Sequence, residues 1–97
     1  MKHFIVEIKY KVPFGKLSHI VDEHRSFLDS GYKNNFLLCS GPKNPKNGGV
    51  VIARANSEEE IRKFFENDPY HTNDVAEHTF IEFSPVKFQE FLKDWIV

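Results

Sequence analysis

The chain opens with an alternating pattern of apolar and mixed positions in HFIVEIKY, residues 3–10. One face of this segment carries four large side chains, Phe4, Val6, Ile8 and Tyr10. A period of two is typical of a β-strand with one buried face. The other face places Glu7 and Lys9 beside Ile5, which favours a cleft or a wet subunit interface over a dry core.

Two later segments have the apolar spacing of helices. KLSHIVDEHRSFLDSGY, residues 16–32, predicts a helix that ends at Gly31 as its C′ glycine. SEEE, residues 57–60, predicts a helix start with Ser57 as N-cap and Glu60 as its capping-box partner. The inner face of this second helix has three apolar side chains, Ile61, Phe64 and Phe65. We expect it to stop at Asp68, because a proline follows.

Three further strands are predicted, at NFLLCS (35–40), VVIARA (50–55) and HTFIEFS (78–84). GPKNPKNGG, residues 41–49, is a loop by composition. Ser84 and Pro85 suit the N-cap and N1 positions of a C-terminal helix. The apolar face of that helix would carry Phe88, Phe91, Leu92 and Trp95.

The order of elements is β-α-β-β-α-β followed by a helix. This order predicts an α+β fold of the ferredoxin-like split βαβ type, with an antiparallel sheet and two main helices on one of its faces. The second sheet face would meet water, the terminal helix or a second subunit. Ninety-seven residues, 1–97, correspond to one domain.

The composition and net charge of the chain argue against several classes of function. A net charge of −1 argues against a nucleic-acid binder, and no apolar run is long enough to cross a membrane. The N-terminal stretch is predicted to be a strand and not a signal peptide. The single cysteine, Cys39, excludes an internal disulfide and a cysteine zinc cluster, and favours the cytoplasm. Because so short a chain buries a limited core, we expect a homodimer.

His24 lies on the apolar face of the first predicted helix, whereas His19 and Ser26 lie opposite. That face otherwise carries Leu17, Ile20, Val21, Phe27 and Leu28. A buried imidazole needs hydrogen-bond partners. A backbone carbonyl would satisfy it, and then His24 would be an ordinary core residue.

Asp68 is the alternative partner for His24. A carboxylate at the C-terminal end of a helix is unfavourable unless a cation or a donor lies beside it. A carboxylate that accepts one ring N–H fixes the histidine tautomer and leaves the other nitrogen as a general base. Both helices lie on one face of the predicted sheet, so the two side chains are able to meet.

The chain resembles the YciI-like family in four stretches that run in family order. They are EHRSFLDSGY, LLCSGPKNPKNGGVVIA, NDPY and AEHTFIEFSPVKF. The resemblance covers about residues 20–88, and it implies a ferredoxin-like dimer of the dimeric α+β barrel kind. It also implies a His–Asp dyad in a pocket, with the histidine motif at His24 and the aspartate of the Asp-Pro-aromatic motif at Asp68. Related barrels include dehalogenating, isomerising and oxygenating enzymes of small molecules.

Four further residues are candidates for contact with a ligand. Ser40, Gly41 and Pro42 follow a predicted strand, where Ser40 could donate a hydrogen bond, and Tyr70 could form a wall of the same pocket. The alternative is that the glycines and prolines serve only the loop geometry, and that Tyr70 is hydrophobic cover.

Other chemistry is less favoured. Cys39 could be a nucleophile, but nothing near it in sequence lowers the thiol pKa, so a small buried residue on a central strand is preferred. His71, Asp74 and His78 match no standard metal spacing, and His78 could simply be exposed at a strand start. We expect neither a metal nor a cofactor.

Two hypotheses remain from the sequence. The first is a small cofactor-independent enzyme in which His24 is the general acid or base and Asp68 orients it. The second is a non-catalytic ligand-binding or interaction module in which the dyad joins two helices.

Overall fold

The computed structural model describes all 97 residues, Met1–Val97. Its strands are β1 (Lys2–Tyr10), β2 (Leu37–Pro42), β3 (Gly48–Ala55) and β4 (Ala76–Phe83). Its helices are α1 (Phe14–Leu17), α2 (Val21–Lys33), α3 (Glu58–Phe65), α4 (Pro69–Thr72) and α5 (Lys93–Ile96). Short 3-10 turns at Ser18–Ile20 and Glu90–Leu92 precede α2 and α5. None of the helices is both long and apolar enough to span a bilayer.

The four strands form one sheet in the order β2-β3-β1-β4. Every neighbouring pair is antiparallel. This order and the β-α-β-β-α-β succession of main elements confirm the predicted ferredoxin-like fold. β1 and β3 are central, whereas β2 and β4 are edges.

The core lies between the sheet and the two long helices. The core contains residues of the predicted faces, from β1 (Phe4, Val6 and Ile8), α2 (Leu28) and α3 (Ile61 and Phe65), together with Val51 and Ala53 of β3. Each of these is less than one-tenth exposed. The alternation of β1 and the spacing of the helices therefore identified the buried faces correctly.

Helix α2 continues to Lys33, past the predicted end at Gly31. Gly31 therefore lies inside the helix, and it is a glycine because neighbouring side chains occupy the space that a Cβ would need. A Cβ there would lie 2.7 Å from side-chain atoms of both Leu37 and Phe64. The left-handed residue that follows the helix is Asn35, with φ of 61°. The prediction that Gly31 is a C′ glycine was wrong, because the helix continues past it. Close packing explains why this position holds a glycine.

Helix α3 starts as predicted, with the Ser57 side chain accepting a hydrogen bond from the Glu60 backbone N–H at 3.1 Å. It ends at Phe65, three residues earlier than expected. Asp68 is the N-cap of the next helix, α4, where its carboxylate accepts from the Tyr70 N–H at 2.9 Å. The carboxylate therefore lies at a favourable helix N-terminus and not at an unfavourable C-terminus.

The β2–β3 hairpin is longer than its sequence suggested. Gly41 and Pro42 pair with β3, and Gly48 and Gly49 already belong to that strand, so the loop spans only residues 43–47. Cys39 is exposed and lies on an edge strand, because β2 has a single neighbour. The expectation of a buried cysteine on a central strand was wrong.

The C-terminal helix is much shorter than predicted. It begins at Lys93, whereas Ser84 and Pro85 lie in irregular chain. Tertiary contacts hold this end: a His3 ring nitrogen bonds the Ile96 carbonyl at 3.1 Å, and Arg54 donates to the Trp95 carbonyl at 3.0 Å. Because short helices need packing to form, the helix is confined to the residues that these contacts hold.

Candidate active site

His24 and Asp68 meet beneath a cavity between the helices and one end of the sheet. His24 Nδ1 lies 2.8 Å from Asp68 Oδ1. His24 is 8% exposed and Asp68 is fully buried. The contact joins α2 to the N-cap of α4. The two candidate residues are therefore in direct hydrogen-bond contact.

A second histidine, His78, also forms a hydrogen bond with the Asp68 carboxylate. His78 Nε2, from β4, lies 2.9 Å from Asp68 Oδ2. An ionised carboxylate only accepts hydrogen bonds, so both imidazole nitrogens that face it carry hydrogen. Asp68 thus accepts from His24, His78 and the Tyr70 backbone N–H.

This role of His78 was not predicted from the sequence, where the alternatives were a metal ligand and a ring exposed at a strand start. Its side chain is 5% exposed. The signal that could have found it is the alternation of β4, which places His78 on the same face as Ala76 and Phe80. That face turns towards the helices, where an imidazole needs a partner.

The ionisation of Asp68 follows from these contacts. Burial by itself would raise the pKa of Asp68, but the hydrogen bonds from His24 and His78, the histidine charge and the Tyr70 N–H outweigh burial. The pKa of Asp68 is therefore lowered from its ordinary value, and the carboxylate is charged at neutral pH.

Tyr70 stacks on the His24 ring, with ring centroids 3.8 Å apart and planes 5° from parallel. Tyr10 meets Tyr70 edge-on at 5.8 Å. Burial raises the pKa of the Tyr70 hydroxyl, with further contributions from Tyr10 and the Asp68 charge. Tyr70 is therefore a neutral phenol, and its ring fixes the plane of the imidazole.

The cavity has a volume of about 260 Å³, and His24 lines it. All four proposed contact residues also line it: Ser40, Gly41, Pro42 and Tyr70. Ser40 Oγ forms a 2.7 Å hydrogen bond with the Tyr32 hydroxyl. Asp68 does not line the cavity and lies behind His24. The residues selected from two distant parts of the sequence are thus brought together.

The arrangement leaves one nitrogen of His24 available. Nδ1 is used by Asp68, and Nε2 makes no hydrogen bond within the protein. With Nδ1 protonated, Nε2 of a neutral imidazole carries a lone pair. A residue in this state can take a proton from a molecule in the cavity.

The other candidates considered from the sequence are placed elsewhere. Asp74 forms an ion pair with Lys11, and His71 is exposed. No group of three or more His, Cys, Asp and Glu side chains is arranged to hold a metal ion. Cys39 pairs with Ile52 in the register that Ile5 also shares, which places it on the sheet face away from the cavity.

Comparison with known structures confirms the fold. One match is the 5-chloro-2-hydroxyhydroquinone dehydrochlorinase TftG from Burkholderia phenoliruptrix AC1100, solved in complex with 2,5-dihydroxybenzoquinone. The TM-score is 0.68 at 18% sequence identity, and the match covers 90% of this chain and 93% of that chain. This likeness shows the α+β fold that TftG shares.

No curated protein matches this sequence. The profile of the YCII-related domain matches residues 1–84, which is most of the chain. The chain therefore belongs to the YCII-related domain family.

Proposed function

We propose that the protein is a small-molecule enzyme in which His24 is the general acid or base and Asp68 positions it. The observation that carries the proposal is the buried 2.8 Å contact between His24 Nδ1 and Asp68, next to a cavity that His24 lines. Buried Asp68 holds the tautomer with Nε2 unprotonated. The same carboxylate would stabilise the imidazolium that forms when Nε2 accepts a proton.

The reaction type that fits this site is proton abstraction coupled to loss or migration of a group. Nε2 removes a proton from a carbon or hydroxyl of the substrate. The electron pair left behind expels a leaving group such as chloride, or the proton returns at another atom in an isomerisation. No cofactor is needed for either outcome, and the dehydrochlorinase activity named for TftG belongs to the first type.

A substrate screen tests this proposal, and a matched histidine pair controls it. Chlorinated and hydroxylated hydroquinones, including 5-chloro-2-hydroxyhydroquinone, are incubated with wild type, His24→Gln and His19→Gln, and chloride release and ultraviolet spectra are followed. We expect turnover by wild type and a loss of about a hundredfold in His24→Gln, since general acid–base groups contribute that much or more. His19 is exposed on the other face of the same region, so His19→Gln should match wild type.

The outcome that contradicts the proposal is a folded His24→Gln that turns over substrate as fast as wild type. Thermal unfolding of each variant establishes that it is folded. If no compound is turned over, the non-catalytic alternative is favoured.

That alternative is a ligand-binding or interaction module with a structural dyad. It is supported by the position of Asp68, which joins α2, α4 and β4 through three hydrogen bonds. Under this hypothesis His24→Gln lowers stability by about 1–3 kcal/mol, the cost of a buried polar partner left unpaired, while ligand binding persists in the folded variant.

We also propose that the protein is a homodimer formed through the open face of the sheet. Ile5 pairs with Ile52 on one side and with Ile81 on the other, so three isoleucines form a row across that face. Ile81 is 52% exposed and Phe83 is 37% exposed. Exposed apolar patches of this kind mark interaction surfaces.

Sedimentation equilibrium tests the dimer. Wild type is expected at twice the mass of the chain, and Ile81→Lys is expected as a monomer because the charge would be buried at the interface. Val86→Lys is the control, since Val86 is an exposed apolar residue outside the sheet. A wild-type monomer, or an Ile81→Lys dimer of unchanged affinity, would contradict the proposal.

We also propose that the protein is located in the cytoplasm, where its exposed Cys39 thiol would stay reduced.

A further inference from the structure

The charged side chains that line the cavity are of one sign. Arg25 and Lys46 line it, and no aspartate or glutamate does. The carboxylate of Asp68 lies behind His24, where it is fully buried and already accepts three hydrogen bonds. The cavity is therefore cationic, although the whole chain has a net charge of −1.

Neither cation has an anionic partner within the protein. Lys43, from the same hairpin loop, is neutralised by Glu7 at 2.7 Å. Lys46 instead lies 5.1 Å above the centre of the Phe14 ring, and the Arg25 guanidinium forms neither a hydrogen bond nor an ion pair. Guanidinium and ammonium groups that are left unpaired beside a pocket are suited to bind an anion.

The other walls suit a flat ring. Three aromatic side chains line it, Tyr10, Phe14 and Tyr70. An apolar cavity of about 150 Å³ holds one benzene molecule. The cavity of about 260 Å³ therefore has room for a single ring with several small substituents.

We propose that this cavity binds a small monocyclic aromatic anion, whose charge is held by Arg25 and Lys46 while its ring lies among the aromatic side chains beside His24. The inference names the substrate class of the proposed function and rests on it. An acidic substituent, either a carboxylate or an ionised ring hydroxyl, supplies the negative charge. The ring carries the atom that reacts at Nε2.

Isothermal titration calorimetry at neutral pH tests the charge requirement with two probes of the same shape. These are 3,4-dihydroxybenzoate, an anion, and 3,4-dihydroxybenzamide, which is neutral. We expect the acid to bind at least about tenfold more tightly than the amide, a ratio typical of one charge-assisted contact. Its affinity should also fall as salt screens the two cations.

Three variants identify the residues responsible. Arg25→Met and Lys46→Met are each expected to weaken binding of the acid about tenfold and to leave binding of the amide unchanged. Lys87→Met is the matched control, because Lys87 is an exposed lysine that lies outside the cavity. The inference is overturned if the acid does not bind, if acid and amide bind equally, or if both cavity variants bind the acid like wild type.

His24→Gln separates this inference from the proposed function. It should retain the preference for the acid over the amide, because the two cations remain. If the acid requires Arg25 and Lys46 but turnover survives in His24→Gln, the proposed function alone fails. If turnover depends on His24 while acid and amide bind equally, the inference of an anionic substrate alone fails.

Discussion

Replacing Asp68 with alanine is expected to lower the free energy of unfolding by about 3–5 kcal/mol, the cost of removing one member of a buried charged network. The substitution leaves the ring N–H of His24, the ring N–H of His78 and the backbone N–H of Tyr70 without an acceptor. It also removes the N-cap of α4. For a domain whose total stability is about 5–15 kcal/mol, this loss is severe. Urea unfolding followed by circular dichroism measures it.

Asp29→Ala is the matched control. Asp29 is an exposed aspartate on α2 with no side-chain hydrogen bond, so its replacement should change stability by less than about 0.5 kcal/mol. A loss below about 1 kcal/mol in Asp68→Ala would mean that a single hydrogen bond is at stake. The three contacts of the carboxylate would then not act together.

The pH dependence of the free energy of unfolding tests whether the negative charge of Asp68 stabilises the fold. The pKa of Asp68 in the folded protein lies below its ordinary value of 3.8. Stability from the ionised carboxylate is therefore fully present above the unfolded pKa and is lost as pH falls through the folded pKa. The stability that wild type has over Asp68→Asn should thus shrink as pH falls below about 4. A difference that does not change in acid would contradict a role for the charge.

Gly48→Ala is expected to cost about 3 kcal/mol or more, at the upper end of what overpacking costs. Gly48 starts β3 opposite Lys9 of the central strand β1. A Cβ at Gly48 would lie 1.9 Å from the backbone carbonyl oxygen of Ile8. That oxygen belongs to a paired strand and cannot rotate away as a side chain does, so β1 and β3 must separate at this end.

Gly41→Ala is the control for Gly48→Ala. Gly41 is also a strand glycine at this end of the sheet, but a Cβ there meets nothing within 4 Å. Its replacement should leave the free energy of urea unfolding within about 0.5 kcal/mol of wild type. Equal stability of the two alanine variants would show that the sheet absorbs the added methyl group without strain.

The sequence predicted the faces of the elements better than their ends. His24 could be selected because a single histidine falls in an apolar helical stripe, and Asp68 because Pro69 follows it. Their contact spans 44 residues of chain. It depends on the short helix α4, which the Asp-Pro pair starts, whereas the sequence pattern predicted only the end of α3 at this point.

Other features depend on tertiary contacts that no local pattern encodes. Ser84 and Pro85 suit a helix start, yet the helix forms only from Lys93. There His3 contacts the Ile96 carbonyl, and Arg54 contacts the Trp95 ring and carbonyl. A glycine is common at the end of a helix, but at Gly31 the glycine is needed because Leu37 packs too closely to leave room for a side chain. The partners in these cases come from distant parts of the chain, so the local sequence does not contain the deciding interaction.

The central position of β1 has a consequence for how the chain assembles. β1 is the first strand in sequence, and both of its neighbours, β3 and β4, come after residue 47. The chain must close loops of this length before strand pairing adds any stability. This requirement slows folding. While the chain emerges from a ribosome, the apolar strand Lys2–Tyr10 is made before both of its neighbours and remains unpaired until they follow. The early chain therefore has an unpaired strand of the kind that favours association with other molecules.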